Sequence, residues 1–345
     1  MIPQSRPDLR PGDFAHVRAI LRTRQIAGGP FVRQLERLLC RVAGASGAVA
    51  TSSGTSALHL ALLSLDIGNG DNVLLPSYTC PAVAQAVAMA GATPRFVDID
   101  PETLNITAAL TRRRVTRRTR AVIVTHTFGF PAAVDEIESL GIPVIEDCAT
   151  AVGATYRRQP TGSHGAMAVF SFYATKMVGA GHGGAVSTAR RDLIRRIRNF
   201  NGVDRPSLTP VRFNYLMSDL TAGLACAQLR RLRTIARRRR NLALRYATAL
   251  DPWRLQQPVS DSRPVYYRFA VRSDNPSASI RRARRLGISV DRPVAWPLHR
   301  LANESREAFS GTEDAYRTLV SIPLYPALRQ HEVELIARSL PEIFG

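Results

Sequence analysis

Residues 121–147 read AVIVTHTFGFPAAVDEIESLGIPVIED, and this stretch decides the fold. Ala121-Val122-Ile123-Val124-Thr125 is a short, wholly apolar strand, residues 131–140 read as a helix, and Ile142-Pro143-Val144-Ile145-Glu146-Asp147 is a second such strand. Strands without polar alternation, joined by helices, belong to a mainly parallel sheet covered on both faces. The rhythm continues on both sides. Upstream come Asn72-Val73-Leu74-Leu75, a helix over 82–90, the strand 93–97 and a helix near 107–114. Downstream, the strand Ala166–Phe172 has Gly183–Thr188 as its hairpin partner. Residues 13–43 read as two amphipathic helices broken at Ala27-Gly28-Gly29-Pro30. A long Arg-rich helix, about 217–250, bridges to strand candidates at 265–271 and 288–290 and helices near 277–286 and 331–340. The expected architecture is α/β: a mainly parallel mixed sheet flanked by helices over residues 1–240, and a smaller C-terminal α/β domain over 241–345.

Composition narrows the function. With 45% apolar and 21% charged residues in 345, the chain is an ordinary folded protein and not a disordered or disulfide-stapled one. Cys40, Cys80, Cys148 and Cys226 are scattered, with no CxxC pair, so no structural zinc is expected. No apolar run reaches a membrane span, and the first residues lack a basic-then-apolar leader, so a cytoplasmic protein is expected. The net charge of +20 gathers in Arg runs at 112–114, 117–120, 237–240 and 281–285. Without interleaved stacking aromatics these read as solvated helix faces and not as a nucleic-acid surface. The field also suits an anionic small substrate.

Among 47 basic residues, Lys176 is the only lysine. Roughly 20 would be ordinary at this length. Arginine therefore serves wherever a fixed positive charge suffices. A lysine that survives this bias does what guanidinium cannot, which is to lose its proton and condense with a carbonyl.

Position points the same way. Ligands in such sheets bind beyond the carboxyl ends of the strands. Asp147 closes one strand, Lys176 follows another, and Thr51-Ser52-Ser53-Gly54-Thr55-Ser56 runs into an apolar helix whose N-terminus suits a phosphate. A Schiff-base lysine, a carboxylate and a phosphate cradle together describe a pyridoxal 5'-phosphate (PLP) site.

These segments closely resemble the DegT/StrS-type sugar aminotransferases, a branch of the fold-type I PLP enzymes, along nearly the whole chain. Ser53–Ala61 resembles the phosphate turn and first helix. Asp98-Ile99-Asp100, Thr125-His126-Thr127-Phe128-Gly129 and Glu146-Asp147-Cys148-Ala149 follow in the family's order. Phe170–Lys176 followed by Gly183-Gly184-Ala185 is the most specific match, and Phe213–Ser218, Pro297-Leu298-His299 and Pro323–Pro326 complete it. The resemblance implies PLP, cycling with its pyridoxamine form, held on Lys176 with Asp147 at the pyridine nitrogen. It also implies a phosphate bound by Gly54, Thr55, Ser56 and Ser171, with Asn214 donated across a homodimer interface. The implied reaction moves an amino group from an amino acid such as L-glutamate to a keto-sugar or cyclitol ketone, in antibiotic or polysaccharide biosynthesis, with no nucleic-acid or membrane partner.

Three positions depart from the family. Cys80 stands where an aromatic ring usually covers the cofactor, and a thiol does not stack. Thr150 and Val152 replace polar or aromatic residues expected near the cofactor face. The chain is expected to be somewhat short, through a compact small domain. His126 and His299 read as structural histidines. Another PLP reaction on the same scaffold, or a cofactor-binding regulatory relative, remains open at this point.

Overall fold

The structure, a computed structural model, describes residues 1–202 and 211–345. The central sheet is built from β1 (Gly47–Thr51), β2 (Asn72–Pro76), β3 (Thr93–Val97), β4 (Thr119–Thr125) and β5 (Val144–Asp147). The short β6 (Thr155–Tyr156) and β7 (Gln159–Pro160) stand apart from it, and β8 (Met167–Ser171) and β9 (Gly184–Thr188) complete it. Its order is β1-β9-β8-β5-β4-β2-β3, and β9 alone runs against the rest. The mainly parallel mixed sheet is thus as the sequence implies. A small three-stranded sheet joins β6 and β7 to β10 (Ser262–Arg263).

Both faces of the sheet are covered, which explains its uniformly apolar strands. Val122 and Val124 enter one buried cluster with Ile137, while Ala121 and Ile123 enter another with Leu60 and Val87. The covering helices of this layer are α1 (Pro11–Thr23), α2 (Pro30–Ala43), α3 (Gly54–Ser64), α4 (Pro81–Met89), α5 (Ala108–Arg112), α6 (Val134–Glu138) and α7 (Arg191–Phe200). The break before α2 has a specific cause. The Gly29 and Val32 amides both donate to Asp219 Oδ1 at 2.9 Å, and a Cβ on Gly29 would come within 2.7 Å of the same carboxylate.

The single helix expected over 217–250 is two, α8 (Asp219–Arg230) and α9 (Leu232–Ala247). Arg231 at the joint is pinned by Asp8 and Asp13, each at 2.8 Å, so the axis turns where distant acids pull on one guanidinium. Helix α9 then spans two cores. Ile235 and Ala236 pack with the sheet layer, and Leu242, Ala243 and Tyr246 with the C-terminal cluster.

The smaller C-terminal domain has α10 (Pro276–Arg285), α11 (Leu298–Leu301), α12 (Ser310–Thr318) and α13 (Gln330–Phe344) around an antiparallel pair, β11 (Phe269–Arg272) and β12 (Leu319–Ile322). The expected strand at 288–290 is instead an isolated bridge from Ile288 to Ile2, and β12 takes its place as the partner of β11. The N-terminal residues therefore strap onto the C-terminal core, where Ile2 is buried. Among the described residues no helix is long and apolar enough to cross a membrane.

Candidate active site

Register sets the site. Thr125 pairs with Asp147, and Asp147 with Val169, so these positions lie side by side at the carboxyl ends of β4, β5 and β8. Two residues further along β8, Ser171 pairs with Gly184, which also pairs with Thr51 at the end of β1. The carboxylate at the end of β5 and the turn that follows β1 therefore sit along the same edge of one sheet, with β8 and β9 between them.

Lys176 lies on the loop from β8 to β9. Its amide donates to Tyr173 O at 2.8 Å, while Phe172 N to Gly183 O and Ala180 N to Phe172 O close the loop around it. A Cβ on Gly179 would stand 2.6 Å from Ala174 O, which fixes glycine there. The single lysine is thus held on a rigid turn, with Nζ 5.1 Å from the centre of the Tyr267 ring.

Ser53 caps α3, its Oγ accepting from Ser56 N at 3.0 Å and lying 2.8 Å from Ser56 Oγ. The Gly54 and Thr55 amides begin the helix and have no carbonyl to bind within it. A Cβ on Gly54 would lie 3.0 Å from Ser171 Cβ and 3.3 Å from Ser171 Oγ. Bare backbone, two hydroxyls and a positive helix end converge there, which suits a phosphate.

A cavity of about 300 Å3 contains Lys176, Asp147, Thr150 and Cys80 together. Asp147 Oδ1 accepts from Ala149 N at 2.9 Å. Withdrawal from bulk water raises its carboxyl above the ordinary range, against the Ala149 amide and the charge of Lys176. Tyr267 moves the other way. Burial would raise its phenol, but Lys176, Arg268, the Thr175 hydroxyl and Arg239 outweigh that and hold it below the ordinary value.

Next to Asp147, Glu146 is fully buried and accepts four bonds. These come from His126 Nε2 at 3.0 Å, Gly162 N at 2.9 Å, His164 N at 2.9 Å and Gly165 N at 2.8 Å. Burial would raise its carboxyl, but His126 and the Gly165 and Gly162 amides hold it below the usual range. Ala132 N donates to His126 Nδ1, so Nε2 carries the hydrogen given to Glu146. His126, Glu146 and Cys148 come within 4.8 Å of one another, yet the carboxylate's acceptor sites are already filled and burial keeps the Cys148 thiol protonated. The cluster is a brace for the β5 end and not a metal centre. Glu146→Ala should cost about 3–5 kcal/mol, read by urea melts, because four donors lose their acceptor at once.

Among the sequence-derived candidates, Lys176, Asp147, Cys80 and Thr150 meet in the cavity, while Gly54, Thr55 and Ser56 open α3, with Ser171 packed against Gly54, and are not among the cavity's lining residues. Thr150 Oγ1 donates to His126 O at 2.8 Å, and Cys80 is exposed at the start of α4. Val152, expected near the cofactor face, is 1% exposed within the core, where a larger polar ring would have no room. Asn214 is exposed and outside this cavity. His126 and His299 are both fully buried, and His299 is bonded to Ser77 and Glu313, so both brace the fold.

Sequence reading missed Tyr267, Arg268 and Trp296, which line the same cavity. Tyr267 and Arg268 arrive through a docking contact, and Trp296 comes from the separate segment 293–296. Val265 N donates to Gly129 O, and Arg268 N to Phe128 O. Gly129 has φ 90°, and a Cβ there would meet Tyr267 N at 2.9 Å. The Tyr266-Tyr267-Arg268 triplet was the available signal.

Known proteins resolve what this site belongs to. The pattern of the DegT/DnrJ/EryC1/StrS aminotransferase family matches residues 7–341. The chain belongs to this family. The aminotransferase TlmJ from Streptoalloteichus hindustanus superposes with a TM-score of 0.94 at 30% identity, over 99% of this chain and 98% of that one. S. venezuelae DesV, solved in complex with a ketimine intermediate, gives 0.92 at 30% identity, over 97% and 95%. The sugar aminotransferase CalS13 from Micromonospora echinospora gives 0.89 at 26%, over 99% and 100%. Against these relatives the chain is not shortened, contrary to the expectation from sequence. As in other members of the DegT/DnrJ/EryC1/StrS family, the fold is that of a fold-type I PLP enzyme. The residues present fit that group, with a lysine and an acid in one cavity and a cradle at Gly54 that a side chain would fill.

Proposed function

We propose that this protein is a PLP-dependent aminotransferase that takes an amino group from L-glutamate and gives it to a keto-sugar, a nucleotide-linked keto-sugar or a cyclitol ketone in natural-product or polysaccharide biosynthesis. The observation that carries the reading is the shared cavity of Lys176 and Asp147 at the carboxyl ends of β5 and β8. Bound there, PLP supplies an aldehyde and an electron sink for the substrate's α-carbon. Lys176 is the residue that condenses with the aldehyde. Once free, its amine would take the α-proton of the donor and, protonated, would deliver it to the cofactor's former aldehyde carbon and not to the carbon it left, which leaves the nitrogen on the cofactor side. Asp147 keeps a proton on the pyridine nitrogen. Gly54, Thr55, Ser56 and Ser171 receive the phosphate.

A homodimer is part of the proposal, with Asn214 reaching the partner's phosphate site. On either side of Asn214, Val211 is 69% and Leu216 51% exposed, an apolar setting that a second copy would cover. The likeness to the sugar aminotransferase CalS13 supports the sugar-related acceptor.

The first test is the absorbance spectrum of the protein with PLP, before and after L-glutamate. A long-wavelength band that gives way to the pyridoxamine form supports transamination. A band that ignores every amino acid offered points to another PLP reaction, and no band removes the assignment of Lys176.

A further inference from the structure

A second chamber of about 160 Å3 adjoins the main cavity, walled by Gln4, Ser5, Thr175, Arg239, Tyr267 and Arg268. Tyr267 and Arg268 also line the main cavity, so the two spaces share a wall. Arg239 is only 3% exposed. Its Nη1 donates to the carbonyls of Tyr266, Tyr267 and Leu324 at 3.1, 3.0 and 2.7 Å, and its Nε has no partner among the described residues. Arg268 Nη1 reaches Ser321 Oγ at 3.4 Å. Among the described residues neither arginine forms an ion pair. The groups whose charge Arg239 feels are Tyr267, whose ring centre lies 5.9 Å from its guanidinium, and Asp8, which is already engaged by Arg231 and Arg10.

A buried guanidinium without a counter-ion is costly, and burial pulls that of Arg239 down to about 10. The sequence reading of the 237–240 run as a solvated face is wrong for this residue. It is wrong also for Arg240, whose guanidinium bonds Pro264 O and Gly153 O. The Gln4 amide is already spent on the carbonyls of Ser289 and Ser321, but two guanidiniums and the Ser5 and Thr175 hydroxyls line the chamber with no carboxylate among them, and positive charge without a counter-charge is the chemistry of a carboxylate or phosphate site.

The geometry points to this chamber as a binding site for a small oxyanion, supplied by the distal carboxylate of a dicarboxylic amino donor seated in the main cavity. The inference rests on the aminotransferase reading for its donor, but not for the anion. It accounts for the wall shared by the two spaces, since only two methylenes separate the reacting α-carbon of L-glutamate from its far carboxylate, so the two must sit in adjoining spaces. A monocarboxylic donor such as L-alanine would leave the chamber unfilled.

The test uses the PLP-loaded enzyme, so that the phosphate cradle is already occupied. Inorganic phosphate and succinate are titrated while the Tm is read, and the conversion of bound PLP is followed with L-glutamate and with L-alanine. Either anion should raise the Tm by about 2–4 °C at saturation. Arg268→Gln should remove that gain and raise half-saturating glutamate about tenfold relative to alanine, and Arg268→Lys should restore part of both. Loss of the anion effect with an unchanged glutamate-to-alanine ratio would keep the oxyanion site and discard the donor as its source. Anion effects that survive Arg268→Gln, or none in the parent enzyme together with an unchanged ratio, overturn the inference. Anion stabilisation in an enzyme that converts with no donor would leave the site standing and remove the aminotransferase reading instead.

Discussion

Lys176→Arg should lower turnover by at least about 10³-fold while leaving the fold intact. The substitution keeps a positive charge, and a guanidinium over the Tyr267 ring keeps the cation–π contact that Nζ makes at 5.1 Å. The loop that carries the residue is closed by backbone bonds at Phe172, Ala174 and Ala180, none of which involves the side chain. The loss would therefore be chemical. A guanidinium stays protonated at any working pH, so it neither condenses with an aldehyde nor accepts a proton from carbon. Two measurements separate this from misfolding. The Tm should stay close to that of the parent, and mass spectrometry after borohydride reduction should find covalently retained PLP in the parent alone. Turnover within tenfold of the parent would end the assignment of Lys176.

What the sequence disclosed and what it hid have different physical origins. The strands β4 and β5 were legible because Ala121–Val124 and Val144-Ile145 alternate between two different buried clusters, so these positions had to be apolar. Lys176 was legible because Arg had displaced every other lysine. The cradle was legible because a helix N-terminus draws on a short list of residues at its cap. The joint between α8 and α9 was hidden, since Arg231 is held by Asp8 and Asp13 from more than 200 positions away. No periodicity carries that information. Arg239 was hidden inside a run of like residues, where composition speaks of solvent and only the helix's path between two cores puts one member inside. Tyr267 and Arg268 depend on the docking of Val265 at Gly129, a long-range contact in which the glycine was visible but its partner was not. Local physics thus disclosed the candidate lysine, acid and helix cap, and tertiary contacts set the wall that faces the cavity.

Asp147→Asn should slow the donor half-reaction by about 10²–10³-fold, because a fixed charge aimed at a reacting centre is usually the largest electrostatic contribution. The amide is nearly the same shape, and its oxygen can still accept from Ala149 N, so the β5 end should not move. Its effect on the cofactor-free protein has the opposite sign. Burial raises the Asp147 carboxyl above its unfolded value, against the Ala149 amide and the Lys176 charge. A raised carboxyl favours the fold below the ordinary carboxylate range, and that advantage is lost as pH climbs through the raised value. Above that raised value the free protein holds an ionised group in a poorly solvated place, and the neutral asparagine relieves it. Cofactor-free Asp147→Asn should consequently melt above the parent on the alkaline side, with the gap closing as pH falls through the raised value. With PLP bound the order should reverse, because the parent then pairs its carboxylate with the protonated ring nitrogen and the variant has no charge to offer. Melting curves of both proteins, with and without PLP across that pH range, read all of this at once. A variant that is less stable than the parent in both forms would mean that Asp147 braces the strand end and does not serve the cofactor.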